Sequence, residues 1–154
     1  MPLEIGSLAP IFDLPTDGGG TLSLISHKGK KVVLYFYPKD MTPGCTKESE
    51  EFRDRSAEFE ATNTIIMGVS KDSVKRHDKF KAKYHFPFTL ISDEEGMLCE
   101  AYDVWRMKKL YGKEYMGIVR STYLIDESGY IQAVWDKVRV KGHVDAVLEA
   151  TQSL

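Results

Sequence analysis

The sequence has little cysteine and no long hydrophobic run, and each shortage excludes a class of protein. Cys45 and Cys99 are the only cysteines among 154 residues, too few for a disulfide-stapled scaffold or a cysteine-rich zinc site. No apolar run approaches the roughly 20 residues that a membrane-spanning helix needs. The segment from Met1 to Gly6 lacks the basic and apolar parts of a signal peptide. We therefore expect a cytoplasmic protein whose two cysteines are thiols.

The charge is balanced, which argues against nucleic acid or an anionic membrane as a partner. Lys and Arg number 21, Asp and Glu 23, and the net charge is −2. Hydrophobic residues make up 42% and charged residues 29% of the chain, as in proteins with a packed core and a solvated surface. The length predicts a single domain covering residues 1–154.

The histidines are few and scattered. His27, His77, His85 and His143 form no i, i+4 pair. We interpret them as surface or half-buried residues rather than metal ligands, and we expect no metal site.

The order of predicted elements indicates an α/β fold of thioredoxin type, with a mixed sheet flanked by helices. An N-terminal β-hairpin is predicted from Ala9–Pro15 and Thr21–Leu24, around the turn Asp17–Gly20. Further strands are predicted at Lys31–Phe36, Thr64–Ser70, Phe88–Ser92, Ile118–Ile125 and Tyr130–Trp135. Helices are predicted at Thr46–Ala61, Ser73–Tyr84 and Glu94–Tyr102, the last two capped by Ser73 and Asp93, and after His143. We interpret Trp105–Gly117 as a long loop, and the basic cluster within it as solvated.

Cys45 lies where a buried strand has ended, a Pro/Gly turn follows and a helix begins. The positive end of a helix and its unpaired N–H groups favour the thiolate, which is the nucleophilic form of cysteine. Thr42 precedes Cys45 by one tight turn, so its hydroxyl is placed to contact the sulfur. Pro43 stiffens the turn, and Gly44 permits close backbone approach. A cation would stabilise the thiolate further, but spacing favours none of the many in the chain.

The pattern Pro38-x-x-x-Thr42-x-x-Cys45 resembles the active-site motif of the peroxiredoxins. The wider run Tyr35–Glu48 resembles their bacterioferritin comigratory protein (peroxiredoxin Q) branch. The similarity extends over nearly the whole chain, through Pro10-x-Phe12, Gly68-Val69-Ser70, Leu90-Ile91-Ser92-Asp93 and Arg120–Asp126, which follow one another in the family's order.

The resemblance implies a thioredoxin-like fold and a thiol peroxidase without a cofactor, which protects the cell against oxidative stress. Cys45 would be the peroxidatic cysteine, which attacks hydrogen peroxide or an organic hydroperoxide and becomes a sulfenic acid. Thr42 would bind the peroxide, and Arg120, on a distant strand, would stabilise the thiolate and position the substrate. The resemblance places Pro38, Pro43, Gly44 and Glu48 around the substrate pocket, Glu48 as the residue that orients the arginine.

The chain departs from this branch in the resolving cysteine. Many members carry it five residues after the peroxidatic cysteine, where this chain has Glu50, and others carry it on the next helix, where Ser73–Tyr84 has none. We interpret Cys99 as a packed apolar side chain, because unreactive cysteines are usually buried. A disulfide with Cys45 would need Cα atoms within about 7 Å, which helix-length segments on a sheet disfavour without local unfolding. The chain therefore resembles a one-cysteine peroxiredoxin that is reduced by thioredoxin, glutaredoxin or a small thiol. The resemblance to the branch also implies a monomer.

Two other functions use the same fold. A dithiol–disulfide oxidoreductase needs a Cys-x-x-Cys pair, and Thr42 stands where the first cysteine would be. A redox sensor or holdase would use Cys45 as an oxidisable thiol without efficient turnover, and the sequence leaves that role open.

Overall fold

The chain is built from nine β-strands and five α-helices in the computed structural model, which describes residues 2–154. The strands are β1 (Asp13–Pro15), β2 (Thr21–Ser23), β3 (Lys31–Phe36), β4 (Thr64–Ser70), β5 (Thr89–Ser92), β6 (Trp105–Leu110), β7 (Lys113–Ile118), β8 (Ser121–Ile125) and β9 (Ile131–Trp135). The helices are α1 (Pro43–Asp54), α2 (Ser56–Ala61), α3 (Val74–Tyr84), α4 (Met97–Ala101) and α5 (His143–Gln152).

Five strands form the central sheet, in the order β5-β4-β3-β8-β9. The pairs β3–β4 and β4–β5 are parallel, whereas β3–β8 and β8–β9 are antiparallel. This mixed sheet confirms the parallel β-α-β unit and the late antiparallel hairpin that the sequence predicts. The N-terminal hairpin β1–β2 also forms, and a bridge between Thr16 and Ile91 joins it to the sheet beside β5.

Strand β3 is buried on both faces, and its side chains alternate between two apolar clusters. Leu34 and Phe36 belong to the cluster that contains Cys99 of α4. Tyr35 belongs to the cluster on the opposite face, which contains Cys45 of α1. The two cysteines therefore lie on opposite sides of the central sheet.

Helix α1 is anchored to the sheet through Tyr35. The Tyr35 hydroxyl lies 2.8 Å from Oγ of Ser49 in α1, and the ring stacks on Phe52 with centroids 4.6 Å apart. Gly68 on β4 makes room for this ring, because a Cβ there would come within 2.9 Å of it. The start of α1, with Cys45, is thus held against the middle of the sheet.

The prediction of one continuous helix over Thr46–Ala61 was wrong, because the helix starts earlier and is interrupted in its middle. Helix α1 begins at Pro43, which suits the first helical turn because its missing N–H would be unpaired there. Arg55 leaves the helical conformation (φ −104°, ψ 6°) and separates α1 from α2. This bend brings Phe59 of α2 to 5.7 Å from the Phe52 ring, so both aromatic side chains are buried in one cluster.

The predicted loop Trp105–Gly117 was also wrong, because β6 and β7 form a separate two-stranded hairpin there. Tyr111 and Gly112 make its turn with positive φ values of 51° and 76°, as two-residue hairpin turns require. Most of its side chains are half-buried or exposed. The sequence lacks the alternation that identifies a half-buried strand, since charged and apolar side chains occur on both faces.

The predicted strand Ile118–Ile125 is divided between two sheets. Ile118 ends β7, Ser121 begins β8, and Val119 and Arg120 form the link between them. The link is fixed by hydrogen bonds from Val119 N to Val104 O (2.8 Å) and from Val138 N to Arg120 O (2.9 Å). Arg120 therefore lies at the end of a strand and not within one.

Ser73 is the N-cap of α3 as predicted, whereas the N-cap of α4 is Gly96, and Asp93 contacts the start of α4 from outside the helix. Ser73 accepts a hydrogen bond from Arg76 N at the start of α3. Asp93 accepts hydrogen bonds from Leu98 N (3.1 Å) and Cys99 N (2.8 Å). Helix α4 begins only at Met97, so the predicted start at Glu94 was wrong. No helix within residues 2–154 is long and apolar enough to cross a membrane.

Candidate active site

Cys45 lies in the first turn of α1, directly after the loop that leaves β3. Thr42 is the N-cap of the helix and Pro43 is its first residue. The Cys45 side chain is only 1% exposed. A thiolate at this position is close to the unpaired N–H groups of the helix start, whose partial positive charge stabilises it.

Arg120 joins Cys45 to Glu48 across the site. Its Nη2 donates to Cys45 Sγ at 3.4 Å, and its Nη1 donates to Glu48 Oε1 at 2.7 Å. Cys45 and Glu48 lie on the same face of α1 because they are three residues apart. Burial opposes the guanidinium charge, but the charges of Glu48 and Cys45 outweigh it and raise the pKa of Arg120. The site therefore contains a permanent cation beside the sulfur.

Gly44 allows the guanidinium to lie against the helix start. A Cβ on Gly44 would be 3.2 Å from Arg120 Nη2, which is closer than a side chain normally approaches. Thr42 is half-buried beside this turn, and its hydroxyl donates to Lys39 O at 2.8 Å. The oxygen lone pairs of Thr42 are then available to accept a hydrogen bond from a hydroperoxide. On either side of Thr42 along the chain, Pro38 is half-buried and Pro43 is exposed.

Glu48 is fully buried behind Arg120. Burial raises its pKa from 4.5 to about 7, although Arg120 acts in the opposite direction. Its Oε2 has no hydrogen-bond partner within residues 2–154. Nε2 of His143, at the start of α5, lies 3.8 Å from that oxygen and 2.8 Å from Thr122 Oγ1. Burial, with a contribution from Arg120, lowers the pKa of His143 to about 4.

Lys108 of the hairpin is a second cation near the site, and nothing in the sequence pattern predicts it there. Its Nζ donates to Ile118 O at 2.9 Å, two residues before Arg120. Burial and the charge of Arg120 lower the pKa of Lys108, while Cys45 acts in the opposite direction. Because residues 105–117 were interpreted as a loop with solvated charges, Lys108 was not predicted to lie near Cys45.

A buried charge network supports the loop that precedes α1. Nδ1 of His77 lies 2.6 Å from Asp40 Oδ2, and Nε2 of His77 lies 2.9 Å from Ile91 O. Both partners are acceptors, so both ring nitrogens donate and His77 is charged. Burial opposes this charge, but the hydrogen bond and negative charge of Asp40 outweigh it and raise the pKa of His77.

Asp72 extends the same network. Asp40, Asp72 and His77 are all buried, and their ligand atoms lie within 4.8 Å of one another, as a metal site would require. These atoms are already engaged by protein donors: Asp72 Oδ2 accepts from Asp40 N and from Ser70 Oγ, and Asp72 Oδ1 accepts from Arg76 Nε. The arrangement acts as a clamp between the Asp40 loop and α3.

The prediction that the histidines are surface or half-buried was wrong for two of them. His77 is 0% exposed and His143 is 6% exposed. Their partners Asp40 and Thr122 lie 37 and 21 residues away along the chain. Because sequence periodicity reports only local spacing, no pattern in the sequence could reveal these contacts.

Cys99 lies apart from the site, in α4, where it is fully buried against the central sheet. Burial, reinforced by the nearby carboxylate of Asp93, raises the pKa of the Cys99 thiol far above its usual range. The thiolate is the reactive form of cysteine, so this environment keeps Cys99 unreactive.

Comparison with known proteins identifies the family of the chain. The AhpC/TSA family matches residues 5–134. The chain belongs to the AhpC/TSA family and is a peroxiredoxin. It is 51% identical to peroxiredoxin Bcp of Bacillus subtilis, covering 100% of this chain and 98% of that protein. It is 48% identical to peroxiredoxin Bcp of Xanthomonas campestris, covering 94% of this chain and 92% of that protein.

Solved structures show the same fold. A cysteine-to-serine mutant of Xylella fastidiosa PrxQ superposes with a TM-score of 0.94 at 39% identity, covering 99% of this chain and 98% of that one. The bacterioferritin comigratory protein of Xanthomonas campestris, studied for its alkyl peroxide reduction activity, superposes with a TM-score of 0.88 at 46% identity. That match covers 92% of this chain and 90% of that one. The predicted thioredoxin-like fold and the resemblance to the peroxiredoxin Q branch are thereby confirmed.

Proposed function

We propose that this peroxiredoxin reduces hydroperoxides at Cys45, with Arg120 and Thr42 as the groups that bind and activate the substrate. The observation that carries the proposal is the contact of 3.4 Å between Arg120 Nη2 and Cys45 Sγ. A permanent cation beside a sulfur at a helix start favours the thiolate. The same guanidinium stabilises the negative charge that develops when the O–O bond breaks.

The reaction is a displacement at oxygen. The Cys45 thiolate attacks the terminal oxygen of the hydroperoxide, and a new S–O bond forms as the O–O bond breaks. The departing oxygen takes a proton and leaves as water or an alcohol, and Cys45 becomes a sulfenic acid. Thr42 accepts a hydrogen bond from the hydroperoxide, while Pro38 and Pro43 limit access of water to the pocket.

An external thiol completes the cycle. Cys99 is on the opposite side of the sheet from Cys45, and α3 contains no cysteine. Two external thiols therefore reduce the sulfenic acid, releasing water and forming their own disulfide. We propose thioredoxin, glutaredoxin or a small thiol as the donor, and a monomeric enzyme of the cytoplasm, where such donors are maintained in the reduced state.

Paired serine variants test this assignment. Cys45→Ser should abolish peroxide consumption with a thiol donor, because the nucleophile is lost. Cys99→Ser is the matched control, and it should retain most of the rate in the same assay. Comparable losses in the two variants would contradict the one-cysteine mechanism. Sustained turnover by the wild-type protein also separates an enzyme from a redox sensor, which would be oxidised only once.

Intact mass after one equivalent of peroxide gives a second measure. The wild-type chain should gain one oxygen, or one small-thiol adduct if a thiol is present, on Cys45. An intramolecular bond between Cys45 and Cys99 would instead remove two hydrogens, and this result would overturn the proposal of an external reductant.

A further inference from the structure

Two segments, one before Arg120 along the chain and one after it, carry an excess of positive charge. The hairpin, residues 105–118, and the segment that follows β9, residues 136–141, together contain seven Lys or Arg residues and two Asp or Glu residues. The whole chain has a net charge of −2, so the remainder of the protein is acidic. We call these two segments together the basic flank.

The two segments of the basic flank are joined to each other and to Arg120. At the base of the hairpin, Arg106 pairs with Asp136 through two contacts, Nη1 to Oδ2 at 3.2 Å and Nη2 to Oδ1 at 2.9 Å. Val138 N, in the second segment, donates to Arg120 O at 2.9 Å. Because Arg120 Nη2 lies 3.4 Å from Cys45 Sγ, the basic flank borders the residue that contacts the reactive sulfur.

One face of the hairpin carries both basic and apolar side chains. Lys108 and Tyr115 lie directly opposite each other on β6 and β7, as do Leu110 and Lys113, and side chains two residues apart along a strand share a face. Lys108 Nζ donates, at 2.9 Å, to the backbone carbonyl two residues before Arg120. This face is therefore continuous with the link that carries Arg120.

The side chains of the basic flank are open to another molecule. Leu110 is 53% exposed, Tyr115 is 43% exposed and Tyr111, at the tip of the hairpin, is 95% exposed. In the part of the chain that the structure describes, no carboxylate lies within 4 Å of its exposed cations, which are Lys109, Lys113, Lys137, Arg139 and Lys141. Grouped exposed aromatic and aliphatic side chains mark protein-binding surfaces, and the unpaired cations favour a partner of negative charge.

The chemistry of Cys45 indicates what kind of partner this is. Cys45 is 1% exposed, so an external thiol must be brought to the start of α1, beside Arg120. A small thiol does not extend along the hairpin, whose strands are about 20 Å long, whereas a protein donor contacts it. A second copy of the chain is disfavoured, because a two-fold contact through this surface would place like charges against each other.

We propose that the basic flank is the docking surface for a protein reductant, a dithiol protein whose surface around its active thiol is acidic and apolar. The proposal rests on the peroxidase function proposed above and adds the surface that selects the reductant. One thiol of the donor displaces water from the Cys45 sulfenic acid and forms a mixed disulfide. The second thiol of the donor breaks this bond, which releases the Cys45 thiol and leaves the donor with its own disulfide.

Turnover with two kinds of donor tests the docking surface. The protein donor is whichever of thioredoxin and glutaredoxin supports the faster turnover, and the small dithiol is dithiothreitol. The double variant Lys113→Glu, Lys141→Glu should raise KM for the protein donor about tenfold in low salt, because charges at the edge of an interface control the rate of association. Turnover with dithiothreitol should not change. The matched control is Lys28→Glu, Lys30→Glu, which alters total charge equally on an exposed loop before β3 and should change neither.

Tyr111→Ser tests the apolar part of the surface. It should raise KM for the protein donor about fivefold, because exposed aromatic side chains are common anchors of protein interfaces, and should leave turnover with dithiothreitol unchanged. Tyr130→Ser, in the exposed turn before β9, is the control and should have no effect. Sedimentation velocity of the wild-type protein and Tyr111→Ser shows whether a second copy occupies the surface.

Several results would overturn the docking surface. Equal losses with dithiothreitol would show that the basic flank acts on the chemistry of Cys45, and an unchanged KM for the protein donor would show that it does not bind the donor. Turnover with dithiothreitol but with neither protein would assign reduction to a small thiol. A wild-type dimer that becomes a monomer in Tyr111→Ser would assign the surface to a second copy. A wild-type protein that dithiothreitol cannot sustain would instead contradict the peroxidase function itself.

Discussion

Gly44 and Arg120 are in such close contact that the size of one residue controls the position of the other. The first helical turn brings a Cβ at position 44 to 3.2 Å from Nη2, and Glu48 holds the guanidinium from the other side. The guanidinium has little room to retreat without losing a hydrogen bond.

We expect Gly44→Ala to separate stability from activity. Alanine favours a helix over glycine by about 1 kcal/mol, so the melting temperature should stay the same or rise. The added methyl group displaces Arg120 from Cys45 Sγ, and kcat/KM for peroxide should fall by about tenfold. Stopped-flow peroxide consumption and thermal unfolding measure the two effects. Lys47→Ala, on an exposed position of α1, is the control, and a fully active Gly44→Ala enzyme would contradict the close contact.

Glu48 should make folding stability depend on pH in an unusual direction for a carboxylate. Its pKa rises from 4.5 to about 7 on folding, so the folded state binds the proton more tightly than the unfolded chain does. The resulting stabilisation is fully present below about pH 4.5 and is lost as the pH rises to about 7. The difference in unfolding free energy between wild type and Glu48→Gln should therefore decrease over this range in urea titrations. A difference that stays constant or increases would show that Glu48 titrates as an ordinary carboxylate.

At the residue scale, the sequence indicated the nucleophile but not its surroundings. The Pro/Gly turn before a helix pointed to Cys45 through local chemistry, and Thr42 followed from its spacing. The role of Arg120 came from the family resemblance, because spacing along the chain favours none of its many cations. His143 and Lys108 were missed, since they come close to the site only through the path of the folded chain.

At the scale of elements, the loop that delivers α1 to the sheet is held by the pair Asp40–His77. Tyr37 and Asp40 lie at the two sides of this loop, and the Tyr37 hydroxyl donates to Asp40 Oδ1 at 2.6 Å. Helix α3 supplies His77 and also Arg76, whose Nη2 donates to Asp40 O at 3.4 Å. The position of the Thr42 turn therefore depends on α3 as well as on α1.

We expect His77→Gln to loosen this loop and destabilise the protein by about 3 kcal/mol, the usual effect of breaking a buried ion pair. Urea unfolding measures the loss, and hydrogen exchange should locate it in residues 38–42. Because the pKa of His77 is raised on folding, the wild-type advantage is fully present at low pH and is lost as the pH rises through the folded-state pKa. His85→Asn, at the exposed end of α3, is the control; equal stability of both variants would contradict the clamp.

The buried elements were predictable, and the exposed ones were not. Strands β3 and β4 are continuous apolar runs, and each was predicted with the bounds that the structure has. The hairpin β6–β7 was missed because it buries neither face fully, which leaves no periodic signal. The Tyr111–Gly112 turn was its one local sign, and a Tyr-Gly pair is weaker evidence than Asn-Gly.

At the scale of the whole molecule, the central sheet separates a reactive thiol from an inert one. Cys45 lies with the α1 and α5 side chains, and Cys99 lies with α4 and the N-terminal hairpin side chains. We expect a small alkylating reagent to reach the first beside the exposed residues Pro43 and Gly44. It reaches the second only when the core opens.

Alkylation rates should report this difference. Each serine variant retains one cysteine, Cys45 in Cys99→Ser and Cys99 in Cys45→Ser. Iodoacetamide should modify the retained Cys45 about a hundredfold faster than the retained Cys99. The Cys99 rate should increase with urea as steeply as global unfolding does, whereas the Cys45 rate should depend on urea only weakly. Mass spectrometry over time measures both. Rapid alkylation of Cys99 in the native protein would show that the α4 face opens locally.

The two hydrogen bonds at the link between β7 and β8 have a mechanical consequence. The hairpin projects from the base where Val119 N bonds to Val104 O, and the next residue is fastened by Val138 N to Arg120 O. We therefore expect these hydrogen bonds to keep Arg120 in place when the hairpin bends. Another molecule that binds the exposed hairpin should leave the distance between Arg120 Nη2 and Cys45 Sγ unchanged.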